Sequence, residues 1–248
     1  MKNESYWKTS KYRLEKDKLR ASNDSSQVGF GSRLTVECIA RFYNDAIPKY
    51  VKGKLIDLGC GQAPLFIKYR PYTSQVTCVD WVNTTHKNDY IDIECDLTKA
   101  LPFEDGAFDT IILSDVLEHI PEPDLLWSEM ARILSGGGIL LMNVPFFYPL
   151  HELPYDYYRY SSYALKRFAE KNGFSVVQLD AIGGSPEVIA DILCKHLQFI
   201  PIFGKVVCLF IQYLTSTFMK SNVGKNLSIK TSERYPLGYF MVAIKNII

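Results

Sequence analysis

The chain has 248 residues, 47% of them hydrophobic, with 15 Gly and 12 Pro, enough to bury a sizeable α/β core. With 22% charged residues and 28 Lys+Arg set against 27 Asp+Glu, it is neither a disordered nor a collagen-like chain, and not a generally basic nucleic-acid binder. The near-zero balance conceals two basic ends on an acidic body: seven Lys/Arg against three acids over residues 1–20, seven against two over 191–248, and a net −8 between them. That arrangement suits an anionic partner or a membrane surface as well as plain solvation.

In chain order, residues 1–30 are polar, carry no apolar run that would make a secretory leader, and read as little ordered. From there 31–248 reads as a single domain. Leu34, Val36, Ile39, Ala40, Phe42, Tyr43 and Ile47 recur at helical spacing, and the helix is expected to stop near Pro48. A strand over 54–58 ends in Gly59-Cys60-Gly61. Then come a helix over 64–69, a strand over 75–80, a short strand over 89–93 and a strand over 108–114. A helix over 123–134, closed by Gly136, precedes a strand over 138–144. Strands alternating with helices at this spacing predict a parallel sheet with helices on both faces. The second half reads as a helix over 162–172, a strand over 174–182, a helical region over 187–218 broken around 201–204, and a last strand over 237–244.

Six cysteines, none in a C-x-x-C pair, read as reduced core residues of a cytoplasmic protein. The longest uncharged run, 133–150, contains Gly136, Gly137, Gly138 and Pro145 and reads as turn, strand and loop, while 206–219 is too short to span a bilayer.

The strand that runs into Gly59-Cys60-Gly61 carries the chemistry. Glycines there let backbone approach a ligand at the carboxyl end of the sheet, beside a helix start. Asp80 ends the next strand, where a carboxylate can accept bonds from both hydroxyls of a ribose, and Asp96 can meet an adenine edge. A dinucleotide fingerprint would want a third Gly or Ala where Pro64 stands. Asp57 before the turn would repel a pyrophosphate but attract an ammonium. A ligand with ribose, adenine, an ammonium and no phosphate is S-adenosylmethionine.

On Asp57-Leu58-Gly59-Cys60-Gly61, Val79-Asp80, Cys95-Asp96-Leu97, the 101–109 segment Leu-Pro-Phe-Glu-Asp-Gly-Ala-Phe-Asp, Ser114-Asp115-Val116-Leu117-Glu118-His119-Ile120 and Arg132-Ile133-Leu134-Ser135-Gly136-Gly137-Gly138, the chain resembles the class I S-adenosylmethionine-dependent methyltransferases of the quinone-biosynthesis type. The resemblance covers about 50–182 well and 235–246 loosely. It implies a Rossmann-like α/β fold, a seven-stranded, mostly parallel sheet whose last strand is antiparallel, with 185–220 a helical insertion before that strand. It implies that Gly59 and Gly61 line the methionine part of the cofactor and that Asp57 meets its ammonium end. Asp80 would hold the ribose, Trp81 pack by the adenine, Asp96 and Leu97 meet the adenine, and Ser114 face the methionine moiety.

On the acceptor side, a hydroxyl acceptor needs a base, and His is matched to neutral pH. His151 is the expected base; His119, nearer the sheet, is the second candidate. Tyr155, Tyr157, Tyr158 and Arg159 follow on a loop whose flat rings and hydroxyls suit a sugar or ring pocket. That loop is similar to one in bacterial methyltransferases associated with surface-polysaccharide assembly. No metal is expected. The reading is methyl transfer to a small-molecule or glycan-like acceptor, at oxygen. Its rivals are a methyltransferase acting on a lipid or prenylated ring at the inner face of the membrane, and a non-catalytic cofactor-binding subunit. The 187–220 region, with Lys195, His196, Lys205 and Lys220, reads as a cover on the sheet or a homodimer face. Its alternative is an amphipathic element in peripheral membrane contact.

Overall fold

The computed structural model describes residues 1–83 and 89–247. A turn of 3-10 helix at Glu4–Tyr6 leads into a hairpin of β1 (Tyr12–Glu15) and β2 (Lys18–Ala21). Lys16 and Asp17 turn the chain with φ of +50° and +60°, the backbone sense that matches strand twist in a two-residue hairpin. The N-terminal segment is therefore more ordered than its polar composition predicted. Tyr12 and Leu19 are fully buried, and helix α1 (Arg33–Tyr50) supplies the edge bonds. Leu19 donates to Asn44 Oδ1 at 2.7 Å and its carbonyl accepts from Asn44 Nδ2 at 3.0 Å, so a side-chain amide stands in for a third strand. Pro48 lies in the last turn of α1, which ends at Tyr50, near where the sequence placed its end.

The sheet is built from β3 (Lys54–Leu58), β4 (Gln75–Asp80), β5 (Ile93–Glu94), β6 (Phe108–Ser114), β7 (Leu134–Pro145), β8 (Phe174–Ile182) and β9 (Gly238–Lys245), in the order β5-β4-β3-β6-β7-β9-β8. Among them β9 runs antiparallel to both of its neighbours, while β3, β4, β5, β6 and β7 are parallel, as expected from the sequence. Alternate residues of each strand feed two cores. Leu55, Ile112 and Leu141 face the side covered by α1; Ile56, Ile111 and Leu140 face the side filled by Trp127 and Met130. Chain order reverses at β3/β6, which opens a crevice at the carboxyl ends of the strands.

Short helix α2 (Phe66–Tyr69) follows β3, α3 (Pro123–Ile133) follows β6, and α4 (Ser162–Lys171) precedes β8. Strand β7 begins four residues earlier than its apolar run suggests, with Gly137 (φ +76°) inside it. Between β8 and β9 lie three helices: α5 (Ser185–Leu197), α6 (Gly204–Phe218) and α7 (Asn222–Ser232). The helical region thus extends past residue 220. The last helix latches to the first at Gly184, where a Cβ would sit 2.3 Å from the Ser228 carbonyl oxygen. Ser228 donates to the buried Glu187 carboxylate at 3.0 Å. No helix among the described residues is long and apolar enough to cross a membrane.

Candidate active site

The turn after β3 is shaped by two bonds to one acceptor: Gly59 and Cys60 donate to the Val79 carbonyl at 2.8 and 3.0 Å. Gly59 has φ +69°, and a Cβ there would meet Val116 Cγ2 at 2.6 Å. Glycine is required on both counts. Gly61 donates to Asp80 Oδ2 at 2.7 Å and Trp81 to Asp80 Oδ1 at 2.8 Å, so the carboxylate at the end of β4 is fixed by backbone on both sides. Asp96 Oδ1 accepts from the Thr98 hydroxyl at 2.7 Å and its amide at 2.9 Å; these bonds, the hydroxyl's foremost, hold its carboxyl below the usual range.

Gly59, Gly61, Asp80, Trp81, Asp96, Leu97 and Ser114 line one chamber of about 520 Å³, together with His119, His151, Tyr155 and Tyr157. Eleven of the expected site residues therefore meet in one cavity, and three do not. Asp57 is 3% exposed and lies outside the wall. Tyr69 donates to its Oδ2 at 2.8 Å. Burial pushes its carboxyl up to about 7 against that bond, and the nearby Asp80 charge adds to the rise. The residue expected at the ammonium end is instead an anchor beneath the turn. Tyr158 and Arg159 are structural too. The Tyr158 hydroxyl donates to the Pro121 carbonyl at 2.8 Å. Arg159 grips Asp156 at 2.5 and 2.8 Å and the carbonyls of Tyr148 and Pro149 at 3.2 and 3.1 Å, which braces the loop rather than the cavity.

The structure also brings in residues that sequence reasoning passed over. Lys11, from the segment before the hairpin, enters the chamber wall and pairs with Asp115 Oδ2 at 2.7 Å. Burial works against its charge, but the Asp115 carboxylate outweighs this and raises its pKa above the ordinary lysine value. Asp115 has φ +55°, a conformation Asp tolerates. It accepts from Asn143 Nδ2 at 2.5 Å, while Asn143 Oδ1 accepts from the hydroxyls of Ser114 and Tyr43, each at 2.8 Å. A basic bias over 1–20 was visible in the sequence, but nothing in its spacing pointed to this pairing.

His119 and His151 meet edge to face, ring centroids 4.7 Å apart. His119 Nδ1 lies 2.8 Å from the Tyr155 carbonyl oxygen, so Nδ1 carries the proton and donates. His151 Nδ1 lies 3.2 Å from Asp156 Oδ2. Both Nε2 atoms approach Glu118 Oε1, at 3.8 and 3.9 Å. Burial foremost, and then the neighbouring His119, lowers the His151 pKa, with Asp156 opposing; the ring is neutral at neutral pH. Trp81 meets Tyr155 edge-on at 5.1 Å, closing the two halves of the chamber together.

Residues 56–142 match the family model described as a methyltransferase domain. Over 77 residues the chain is 35% identical to an uncharacterized methyltransferase of Mycobacterium avium (30% of each chain). It is 34% identical to one of Mycobacterium leprae (30% of this chain, 29% of that one), so the matched stretch spans less than a third of these relatives. Among solved structures, an S-adenosylmethionine-dependent methyltransferase of Archaeoglobus fulgidus superposes with a TM-score of 0.56 at 17% identity, covering 84% of this chain and 94% of that one. The [4+2]-cyclase SpnF superposes at 0.54 and 16% identity, covering 97% and 88%. At such identity these likenesses establish the fold, which alone does not dictate the reaction. Residues 56–142 thus match a methyltransferase domain, and the seven-stranded sheet with one antiparallel strand is the fold shared with solved S-adenosylmethionine-dependent methyltransferases.

Proposed function

We propose that this protein transfers a methyl group from S-adenosylmethionine to a hydroxyl of a small or glycan-like acceptor. The observation that carries the reading is the composition of one chamber. Asp80, Asp96 and the His119–His151 pair line the same cavity. Lys11 is the one Lys or Arg among the described wall residues, and it is already paired with Asp115. That wall suits a ligand with hydroxyls and a cationic centre and offers no pairing for a pyrophosphate.

Gly59 and Gly61 would let the backbone approach the methionine part, with Ser114 alongside. Asp80, held by two amides, would take the ribose hydroxyls, with Trp81, Asp96 and Leu97 around the adenine. When bound, the cofactor supplies a methyl already activated on a sulfonium. The chain's own task is then to hold the acceptor in line and to take its proton. Tyr155 and Tyr157 present ring faces to the acceptor, and the His119–His151–Glu118 cluster is where the proton leaves. The neutral state of His151 suits that role.

The test is calorimetry with S-adenosylhomocysteine and NAD, followed by labelled-methyl transfer into fractionated cell extract. Binding of S-adenosylhomocysteine but not NAD, with label in a hydroxyl compound, supports the reading. Tighter NAD binding overturns it. Cofactor binding without turnover on any fraction favours a non-catalytic subunit.

A second reading concerns where the acceptor is met. Helix α6 buries only Gly204, Cys208 and Gln212. Phe199, Ile202 and Phe203 in the turn before α6, and Val206, Phe210 and Tyr213 along one face of it, are exposed, Phe199 at 80% and Ile202 at 86%. Lys205, Lys220, Lys225 and Lys230 accompany them, against the single acid Glu233 beyond residue 191. We infer that this face rests on an anionic bilayer surface from the cytoplasmic side. Cosedimentation with phosphatidylserine vesicles, lost in a Phe203→Ser/Phe210→Ser variant, supports it. A concentration-dependent dimer without vesicle binding overturns it.

A further inference from the structure

Glu118 is fully buried, and neither of its carboxylate oxygens has a hydrogen-bond partner. A buried carboxyl with no donor around it is costly whether ionised or protonated: ionised it lacks compensation, and protonated its O–H has nothing to bond. What faces it is two imidazoles. Its Oε1 lies 3.8 Å from His119 Nε2 and 3.9 Å from His151 Nε2, and the three ligand atoms all fall within 4.8 Å of one another.

The imidazoles are held for this arrangement from behind. The bond from His119 Nδ1 to the Tyr155 carbonyl fixes the tautomer that leaves Nε2 with its lone pair. Asp156 Oδ2, locked by two bonds from Arg159, stands 3.2 Å from His151 Nδ1, which makes no hydrogen bond in the structure; a small rotation of the ring would let Nδ1–H donate to it. Carbonyl or carboxylate on one ring nitrogen, open lone pair on the other, is how proteins prepare a metal-binding histidine. Glu118 itself is pinned because its backbone carbonyl accepts from Tyr157 at 2.9 Å and Tyr158 at 3.2 Å. The two histidines line the chamber and Glu118 lies behind them.

We propose that His119 Nε2, His151 Nε2 and the Glu118 carboxylate bind one divalent cation of the zinc class, with an open position facing the acceptor half of the chamber. Bonds of about 2.0–2.1 Å put tetrahedral ligands roughly 3.3 Å apart. The two oxygen–nitrogen separations of 3.8 and 3.9 Å therefore close by about half an ångström, and the remaining one, within 4.8 Å, by up to about 1.5 Å through rotation of the two imidazoles. Two imidazoles and one carboxylate select a first-row transition cation over magnesium or calcium, which take oxygen sets. The three-ligand, one-open pattern is that of catalytic rather than structural zinc. An oxygen of the acceptor or of water would complete the coordination, and a hydroxyl there would lose its proton more readily than a free one. This role rests on the methyl-transfer reading; the binding of the cation does not.

The experiment takes the full chain, stripped with chelator, and titrates it with zinc by calorimetry and with cobalt by visible absorption. One equivalent bound, a tetrahedral cobalt spectrum, and no heat with magnesium are the expected results. Glu118→Gln and His151→Ala should each weaken binding by at least about tenfold, and Asp156→Asn by about tenfold to a hundredfold through His151. S-adenosylhomocysteine binding is measured on every sample as a check of folding. If Glu118→Gln does not fold, His151→Ala and Asp156→Asn carry the test alone. Absent zinc binding with intact S-adenosylhomocysteine binding overturns the cation and leaves methyl transfer standing. Zinc bound without S-adenosylhomocysteine binding does the reverse. Zinc bound equally well by the variants overturns this site.

Discussion

The two halves of the chamber are built differently. The cofactor half comes from 59–97: a glycine turn and strand-end carboxylates fixed mainly by backbone amides. The acceptor half is assembled from Lys11, Asp115–His119, Asn143 and 148–159, joined mostly through side chains. Backbone-held sites tolerate change in the residues around them. Side-chain networks fail when one member is lost, because buried partners are left unpaired. On the methyl-transfer reading, the first half would be a frame that many acceptors could share, and the second the place where a particular acceptor is chosen.

The largest effect that would sharpen this contrast is on turnover. His151→Ala should slow turnover by about 10²–10⁴-fold, while affinity for S-adenosylhomocysteine stays within about threefold. Equal losses in both, measured by steady-state kinetics and calorimetry, would erase the distinction between the halves.

Next comes Asp57, beneath the turn. Its folded-state pKa of about 7 lies above the ordinary 3.8, so the native state holds more protons than the unfolded state across that window. Stability contributed by this group is then present at low pH, falls as pH rises from about 4 to about 7, and is flat above. At about 1.36 kcal/mol per unit the loss approaches about 4 kcal/mol. Asp57→Asn, whose amide oxygen still accepts from Tyr69, should raise Tm at pH 8 and leave it unchanged near pH 4. A variant less stable than the parent at pH 8 would show that the charge is compensated.

Asp80→Ala removes the carboxylate that the frame holds most firmly. Loss of bonds to a charged group costs roughly 1.5–3 kcal/mol, or about tenfold to a hundredfold in S-adenosylhomocysteine affinity. An unchanged dissociation constant in a folded variant would take the ribose away from Asp80.

The smallest effect tests the side-chain network. Lys11→Met leaves Asp115 without its cation; both side chains keep about a quarter of their exposure. The cost falls well under the 3–5 kcal/mol of a fully buried pair, at about 1–2 kcal/mol, read as a lower Tm by calorimetry. Turnover should fall more than cofactor affinity. The opposite order would move Lys11 to the cofactor half.

The same contrast explains what was legible in the sequence. Gly59, Gly61, Asp80 and Asp96 each stand at or just past a strand end, so the period of the strands locates them in the sequence. His119 and His151 were found for the same reason, as followers of β6 and β7. Asp57 was misplaced because one-residue alternation along β3 decides whether a side chain meets the cavity or the core, and its charge argued for the cavity. Lys11 was invisible because its partner is 104 residues away. Helix α7 was missed because its residues are polar and its packing rests on Ser228 and Glu187, not on an apolar stripe. Glu118 looked like a motif letter; only its burial without a partner shows that it faces the two histidines.

The network from Lys11 through Asp115 and Asn143 to Tyr43 has a consequence for synthesis. A ribosome adding about 5–20 residues per second needs on the order of 10 s to pass from Lys11 to Asn143. Lys11 has no Asp115 to pair with until 104 further residues have been added. The hairpin is served sooner, since Asn44 and Glu37 bond it from the adjoining helix. The nascent chain therefore makes Lys11 among its first residues and can join it to this wall only after Asp115 and Asn143 exist. Ile182, Leu237 and Gly238, which also line the chamber, are added later still.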